Sequence, residues 1–299
     1  MAFRTIVVER PAAISVNRAQ LVIRSDREHR VSPEDLSVLL IESRQSTISA
    51  AALSLLGQCG CTVFFCDEKH LPCAVLLPYL QHSRNLSVIK MQIEMPAPLK
   101  KQLWKNIVVS KITNQAACLS LIGKEDTAAE LLALCKRVRS GDTENMEAIA
   151  AAKYFKHLFG SSFTRKSELP INSALNYGYA IIRGCMARNL TSYGFLPALG
   201  LHHKNELNAF NLADDMMEPF RPLVDVFVSL GFETEDDFST PMKRQLANIL
   251  NLDLLSGGQH HSAAFSIERM VQSLSRSLSE GTSLLVLPEL CELRQHTYE

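Results

Sequence analysis

Over the first 80 positions apolar residues alternate or run in short blocks, and beyond them they recur at helical spacing. Phe3 to Val8 reads as a strand. Ala13-Ile14-Ser15-Val16 and Gln20-Leu21-Val22-Ile23 read as a hairpin turning around Asn17-Arg18. Ser32-Pro33-Glu34-Asp35 opens a turn into the apolar run Leu36 to Ile41, a buried strand. Ser49 to Gly57 has the one-sided pattern of a short helix, with Gly57 near its C-terminal end. Cys61 to Cys66 and Leu71 to Leu77 supply two more strands. The region carries no glycine-rich phosphate loop.

The texture changes near Gln81. Asn85 to Met95 and Lys100 to Gly123 have helical periodicity, separated by Met95-Pro96-Ala97-Pro98. Leu103, Ile107, Ile112, Ala116 and Leu119 form a broad apolar face, decorated by Lys90, Lys100, Lys101, Lys105 and Lys111. Further helices are predicted over Glu125 to Val138, Glu144 to Phe159, Ile171 to Asn189, Leu223 to Leu230, Met242 to Leu254 and Ala264 to Ser279. Asp142 or Thr143 can cap the second of these. His260-His261, following Ser256-Gly257-Gly258, reads as loop. The expected fold class is α+β: a small, sandwich-like, β-rich N-terminal domain over residues 1–82 and a larger all-α domain over residues 83–299.

One stretch concentrates the candidate chemistry. Gly200-Leu201-His202-His203-Lys204-Asn205 leads into Asn211-Leu212-Ala213-Asp214-Asp215-Met216-Met217-Glu218-Pro219-Phe220-Arg221-Pro222. Leu212, Met216 and Phe220 recur every four residues, so the segment is helical, with Asp215 and Glu218 on one face. Pro219 and Pro222 predict that the helix stops soon after Glu218. Carboxylates in a last helical turn face the negative end of the helix dipole and need a positive partner. A divalent metal and Arg221 are the two candidates.

Composition places limits around this site. The chain has 299 residues, 46% hydrophobic and 21% charged, enough for two domains. It has no apolar run long enough to span a membrane and no secretory signal pattern at the N-terminus, which points to the cytoplasm. Eight Cys fit reduced, packed thiols. Cys59, Cys61, Cys66 and Cys73 lack the two close pairs of a structural zinc site. The net charge of zero hides an asymmetry. Residues 81–190 carry 16 basic and 8 acidic side chains, a net of +8, and residues 191–299 carry 7 and 15, a net of −8. A positive middle beside an acidic third suits an anionic partner such as nucleic acid, and intrachain charge pairing nearly as well.

Four motifs in order resemble a known family. They are Asn145-x-Glu147 with Ala151-Ala152-x-Tyr154-Phe155 behind it, Pro170-Ile171-Asn172-Ser173-Ala174-Leu175-Asn176-Tyr177-Gly178-Tyr179-Ala180, Gly200-x-x-His203, and Asp215-x-Met217-Glu218-Pro219-Phe220-Arg221-Pro222. Glu147 and His203 are 56 residues apart, and His203 and Glu218 are 15 apart. Together they resemble the CRISPR-associated adaptation integrases, in their type II form.

The resemblance implies catalytic and metal-ligating roles for Glu147, His203 and Glu218, with Asp215 as a possible secondary acid and His202 as a neighbour. It implies Mg2+ or Mn2+ as cofactor and a homodimer paired through the β-rich domain. It further implies a heterohexamer with the small second adaptation protein, bound to double-stranded DNA as prespacer and CRISPR repeat. The implied reaction inserts the 3′-hydroxyl ends of the prespacer into the repeat, with endonuclease activity besides. Two carboxylates and one imidazole suit a Lewis-acid ion that activates a 3′-hydroxyl against a phosphodiester, and no side-chain nucleophile is needed. Arg165, Lys166, Arg183 and Arg188, from the basic middle, are candidate DNA contacts. A structure-selective metal-dependent DNase and a non-catalytic scaffold for DNA or partner proteins are the alternative functions.

Overall fold

The computed structural model describes residues 4–79, 82–231 and 238–297. Phe3 and Gln81, at the predicted starts of the first strand and of the helical texture, lie outside the described residues. The described chain divides into two compact units, one ending at residue 79 and one beginning at His82.

The first unit runs β1 (Arg4–Val8), β2 (Ala13–Asn17), β3 (Gln20–Arg24), β4 (Glu28–Val31), β5 (Leu36–Ile41), β6 (Thr47–Ile48), α1 (Ala50–Gln58), β7 (Thr62–Cys66) and β8 (Pro72–Leu76). The strands form two four-stranded sheets, ordered β1-β5-β7-β8 and β4-β3-β2-β6. β5 pairs in parallel with both β1 and β7, and all but one of its residues are buried, which explains its unbroken apolar run. The hairpin between β2 and β3 turns at Arg18-Ala19, one residue later than predicted. Both residues have positive φ, 48° and 59°, as a type I′ turn requires. Ser49 caps α1 by accepting the Ala52 N–H at 3.2 Å. Ile14, Leu21 and Ile23 from one sheet share a core with Val8, Leu36, Leu39 and Val63 from the other and with Leu56 of α1, a sandwich-like arrangement.

The second unit contains α2 (Asn85–Ile93), α3 (Ala97–Leu121), α4 (Glu125–Cys135), α5 (Met146–Phe159), α6 (Pro170–Ser192), α7 (Asn211–Met217), α8 (Arg221–Gly231), α9 (Thr240–Ala247), β9 (Asp253–Ser256), β10 (Gln259–Ser262), α10 (Ala263–Glu280) and β11 (Pro288–Glu289). α3 packs against α4, α5 and α8, and α6 packs against α7 to α10. α6 and α8 approach closely at Gly178, where a Cβ would lie 2.5 Å from Val224 Cγ1. No described helix is long and apolar enough to cross a membrane.

Three details depart from the predicted elements. The helix expected over Met242 to Leu254 ends at Ala247, passes through a 3-10 turn (Ile249–Asn251) and becomes β9. His260 and His261 are not loop residues: they lie on β10, opposite Leu255 and Leu254. Gly257 and Gly258, with φ of 63° and 78°, make the two-residue turn between those strands, so the helical unit carries a small sheet ordered β10-β9-β11. Finally, Pro222 starts a helix rather than stopping one. It falls in the first turn of α8, where its missing N–H leaves no hydrogen bond unmade.

Candidate active site

α3 forms the floor of the site. Trp104, Ile107, Val108, Lys111, Ile112 and Gln115 repeat at helical spacing and are all buried. Lys111, one of the lysines that decorate this face, is itself buried on the apolar stripe. Its side chain is only 9% exposed. An ammonium in that position needs anionic partners, and two segments distant in sequence deliver them.

Glu147 comes from the first turn of α5. Asp142 caps that turn: its Oδ1 accepts the Met146 N–H at 2.9 Å and its Oδ2 the Glu147 N–H at 3.0 Å. Asn145 takes a left-handed conformation, φ 54° and ψ 43°, to bring the chain into the helix. Glu147 Oε1 then meets Lys111 Nζ.

Glu218 arrives where α7 passes into a 3-10 turn (Glu218–Phe220). Asn114, one turn beyond Lys111 on α3, anchors that turn by donating from Nδ2 to the Pro219 carbonyl at 2.8 Å. Glu218 Oε2 meets Lys111 Nζ, and its Oε1 lies 2.9 Å from Arg221 Nε. Burial pushes the Glu218 carboxyl up, but Arg221 and Lys111 outweigh it and hold the group at about 2. Burial pulls the Lys111 ammonium down, and Glu218 and Glu147 reverse this to a net rise. Two carboxylates and two cations thus balance in a cluster whose inner members, Lys111 and Glu218, are buried.

Arg221 has its own support. Its guanidinium lies over the Tyr179 ring, 4.7 Å from the centroid. Tyr179 and Tyr154 both donate their hydroxyls to Asp225, the latter at 3.0 Å. Burial raises the Asp225 carboxyl to about 6. Tyr154 and Tyr179 stand inside the motifs quoted above, but nothing in the sequence connects them to Asp225.

His203 is positioned by Asp215, which is fully buried. Asp215 Oδ2 accepts the His202 N–H at 2.9 Å, while Oδ1 accepts the His203 N–H at 3.2 Å and Nδ1 at 2.6 Å. Asp215 already accepts two backbone N–H bonds, so as a carboxylate it can only accept from Nδ1 as well, and a neutral ring here carries its proton on Nδ1 and its lone pair on Nε2. The hydrogen bond to Asp215 raises His203 above the ordinary histidine range despite partial burial. Gly200 leaves room for this clasp. A Cβ there would lie 2.4 Å from the His203 carbonyl oxygen and 2.8 Å from Asp215 Oδ2. His202 stacks on Trp104, with ring centroids 4.3 Å apart and planes 3° from parallel, and His203 meets the same indole edge-on at 5.9 Å.

Glu147 and Glu218 therefore converge on one cation, the Lys111 ammonium, while Asp215 serves His203. The donors suit a divalent ion in kind, two carboxylate oxygens and an imidazole nitrogen. Among the described residues no three His, Cys, Asp or Glu side chains stand close enough to hold an ion as they are placed.

The basic residues expected to face DNA differ in their surroundings. Arg183 makes a two-pronged ion pair with Asp214, at 2.6 and 2.9 Å, and lies over Phe210. Arg165 donates to Asn172 and Asn176 and lies over Tyr179. Arg188 is half-buried and donates to Asn189 at 3.1 Å. Lys166 is exposed.

Comparison with known proteins places this geometry in context. The family model described as CRISPR associated protein Cas1 matches residues 5–245. A CRISPR-associated endonuclease Cas1 from Neisseria meningitidis serogroup C (strain 8013) is 43% identical over 304 residues, covering 100% of each chain. Among solved structures, a casposase bound to integration product is similar at a TM-score of 0.77 and 20% identity, over 95% of this chain and 92% of that one. A chain of a Cas6-RT-Cas1–Cas2 complex is similar at a TM-score of 0.72 and 19% identity, over 96% of this chain and 36% of that one. At such identities these last two likenesses are likenesses of fold.

Proposed function

The chain belongs to the CRISPR-associated Cas1 family, and from that premise we propose that it is a metal-dependent DNA integrase and endonuclease of spacer acquisition. Its substrates are a short prespacer duplex and the CRISPR repeat. The observation that carries the reading is the convergence of Glu147 and Glu218 on a single cation, with the His203 ring held at Nδ1 by Asp215.

The reaction is a transesterification. A prespacer 3′-hydroxyl gives up its proton to solvent as its oxygen forms a bond to a repeat phosphorus, the bond from that phosphorus to a 3′-oxygen breaks, and the departing oxygen takes up a proton from solvent. Glu147, His203 and Glu218 would hold Mg2+ or Mn2+, which polarises a phosphoryl oxygen and favours the deprotonated hydroxyl. Asp215 keeps the Nδ1 proton in place and so fixes the ring orientation. Arg221, half-buried beside Glu218 and backed by Tyr179, offsets the negative charge that a phosphodiester brings into the site.

DNA and a second adaptation protein are the proposed partners. The relative solved in a Cas1–Cas2 complex supports the second of these. Lys166, exposed before α6, is suited to a phosphate contact. The N-terminal unit is proposed to pair two copies of the chain, and the full assembly to be a heterohexamer with the partner.

The deciding experiment supplies full-length protein, its partner, Mn2+ and a repeat-bearing plasmid with either a 3′-hydroxyl or a 3′-deoxy prespacer. Strand transfer is expected with the first only, and Glu218→Ala should abolish it. Hydrolysis without transfer from either prespacer would favour a structure-selective nuclease. Spacer acquisition that survives Glu218→Ala would leave a non-catalytic scaffold.

A further inference from the structure

Lys111 raises a question the reaction does not answer. Its Nζ lies against Glu147 Oε1 and Glu218 Oε2, the two groups proposed to hold a divalent ion. An ammonium satisfied by those oxygens occupies the place between them that an ion bound by both would take. Two cations sharing that small, poorly hydrated space repel strongly. The Lys111 backbone is fixed on the buried stripe of α3, so displacement would turn its flexible side chain away from the carboxylates.

We infer that Lys111 is the resident counter-cation of the Glu147–Glu218 pair and that a divalent ion enters by displacing it. The inference rests on the preceding reading that these carboxylates are metal ligands. Without metal, Lys111 and Arg221 neutralise the two acids, which keeps the partly buried carboxylate pair from repelling itself apart. With a divalent ion between the acids, the same cluster carries two surplus positive charges, on Arg221 and on the displaced Lys111. That surplus suits an incoming phosphodiester. Metal loading is thus a cation exchange that both weakens affinity for the free ion and prepares the site for an anion.

Two measurements on the full-length protein without DNA test this. In calorimetric titration with Mn2+, Lys111→Met should bind about tenfold more tightly or better, because the competitor is gone. In wild-type protein, labelling of Lys111 by an amine-reactive acylating reagent, followed by mass spectrometry, should rise when Mn2+ is saturating. Binding by a folded Lys111→Met no tighter than wild type overturns the inference. Should that variant fail to fold, labelling decides alone, and unchanged labelling overturns it. Glu218→Gln separates the two levels of the argument. If it binds Mn2+ as wild type does, the metal-site reading has failed. If it loses Mn2+ while Lys111→Met gains nothing, the displacement of Lys111 alone has failed.

Discussion

Asp215 holds His203 twice through one oxygen: Oδ1 takes the His203 backbone N–H at 3.2 Å and Nδ1 at 2.6 Å. Asp215→Asn keeps the shape but can offer its amide hydrogen to Nδ1, which moves the imidazole proton to Nε2. Strand-transfer rate and Mn2+ affinity should each fall about 10–100-fold. The nitrogen-15 shifts of His203 provide the check. They should report a proton on Nδ1 in the wild type at a pH where the ring is neutral, and its loss from Nδ1 in the variant.

The adjacent histidines should separate cleanly. His203→Ala removes a proposed ligand and should abolish strand transfer. His202→Ala loses the stack on Trp104, worth about 0.5–1.5 kcal/mol of stability, and should retain transfer. Urea denaturation alongside strand-transfer assays distinguishes them. Equal loss of activity in the two variants would contradict these roles.

Gly200→Ala puts a Cβ 2.4 Å from the His203 carbonyl oxygen and 2.8 Å from Asp215 Oδ2, atoms that cannot both yield. The loop must shift, at a cost of about 1–3 kcal/mol. Activity should fall further than the stability loss alone explains, because His203 parts from Asp215. A melt with a parallel rate measurement tests it, and a variant of wild-type activity would contradict it.

Acid should act through Glu218. Its carboxyl sits at about 2 against an ordinary 4.5, so its stabilisation is complete above the ordinary value and is lost as pH falls through the lower one. Metal-free protein should lose about 3 kcal/mol from this group between those limits. Glu218→Gln should lack that part of the profile. His203 works in the opposite sense. Its raised value gives stability that is present below the ordinary histidine range and disappears as pH rises through the raised one. Mn2+ binding should strengthen across that same rise, since the ion needs a neutral ring. Denaturation and Mn2+ titrations over a pH series measure both effects.

Most of the architecture is legible in the sequence because it is locally encoded. The Arg18-Ala19 hairpin sits between two short apolar strands, and α5, α6 and α10 announce themselves by periodicity. What pattern reading misses is set by pairing partners rather than by local periodicity. β4, Glu28–Val31, has three exposed residues out of four and becomes a strand by pairing with β3. Leu254 and Leu255 continue a helical pattern, yet both pair with β10, and Leu255 also pairs with Glu289 of β11, more than thirty residues on. The Gly257-Gly258 turn was the available signal.

The site divides in the same way. Glu147, His203 and Glu218 stand out through the order of their motifs, and His203 is separated from His202 by the Gly200 spacing that the clasp on Asp215 explains sterically. Lys111 hides among the other lysines of its helix. Its one mark is a charge on the stripe of Trp104, Ile107 and Val108, meaningful only once residues 147 and 218 are known to arrive there.

α3 fixes the dimensions of the site. Trp104 seats the histidine loop through His202, Lys111 seats both carboxylates, and Asn114 pins the turn that carries Glu218. From Trp104 to Asn114 is ten residues, about 15 Å along one rigid axis. One residue inserted between Trp104 and Lys111 would rotate one seat about 100° from the other and lengthen the gap by about 1.5 Å. The interval between these side chains is therefore an indel-intolerant gauge, although none of the three need touch the DNA.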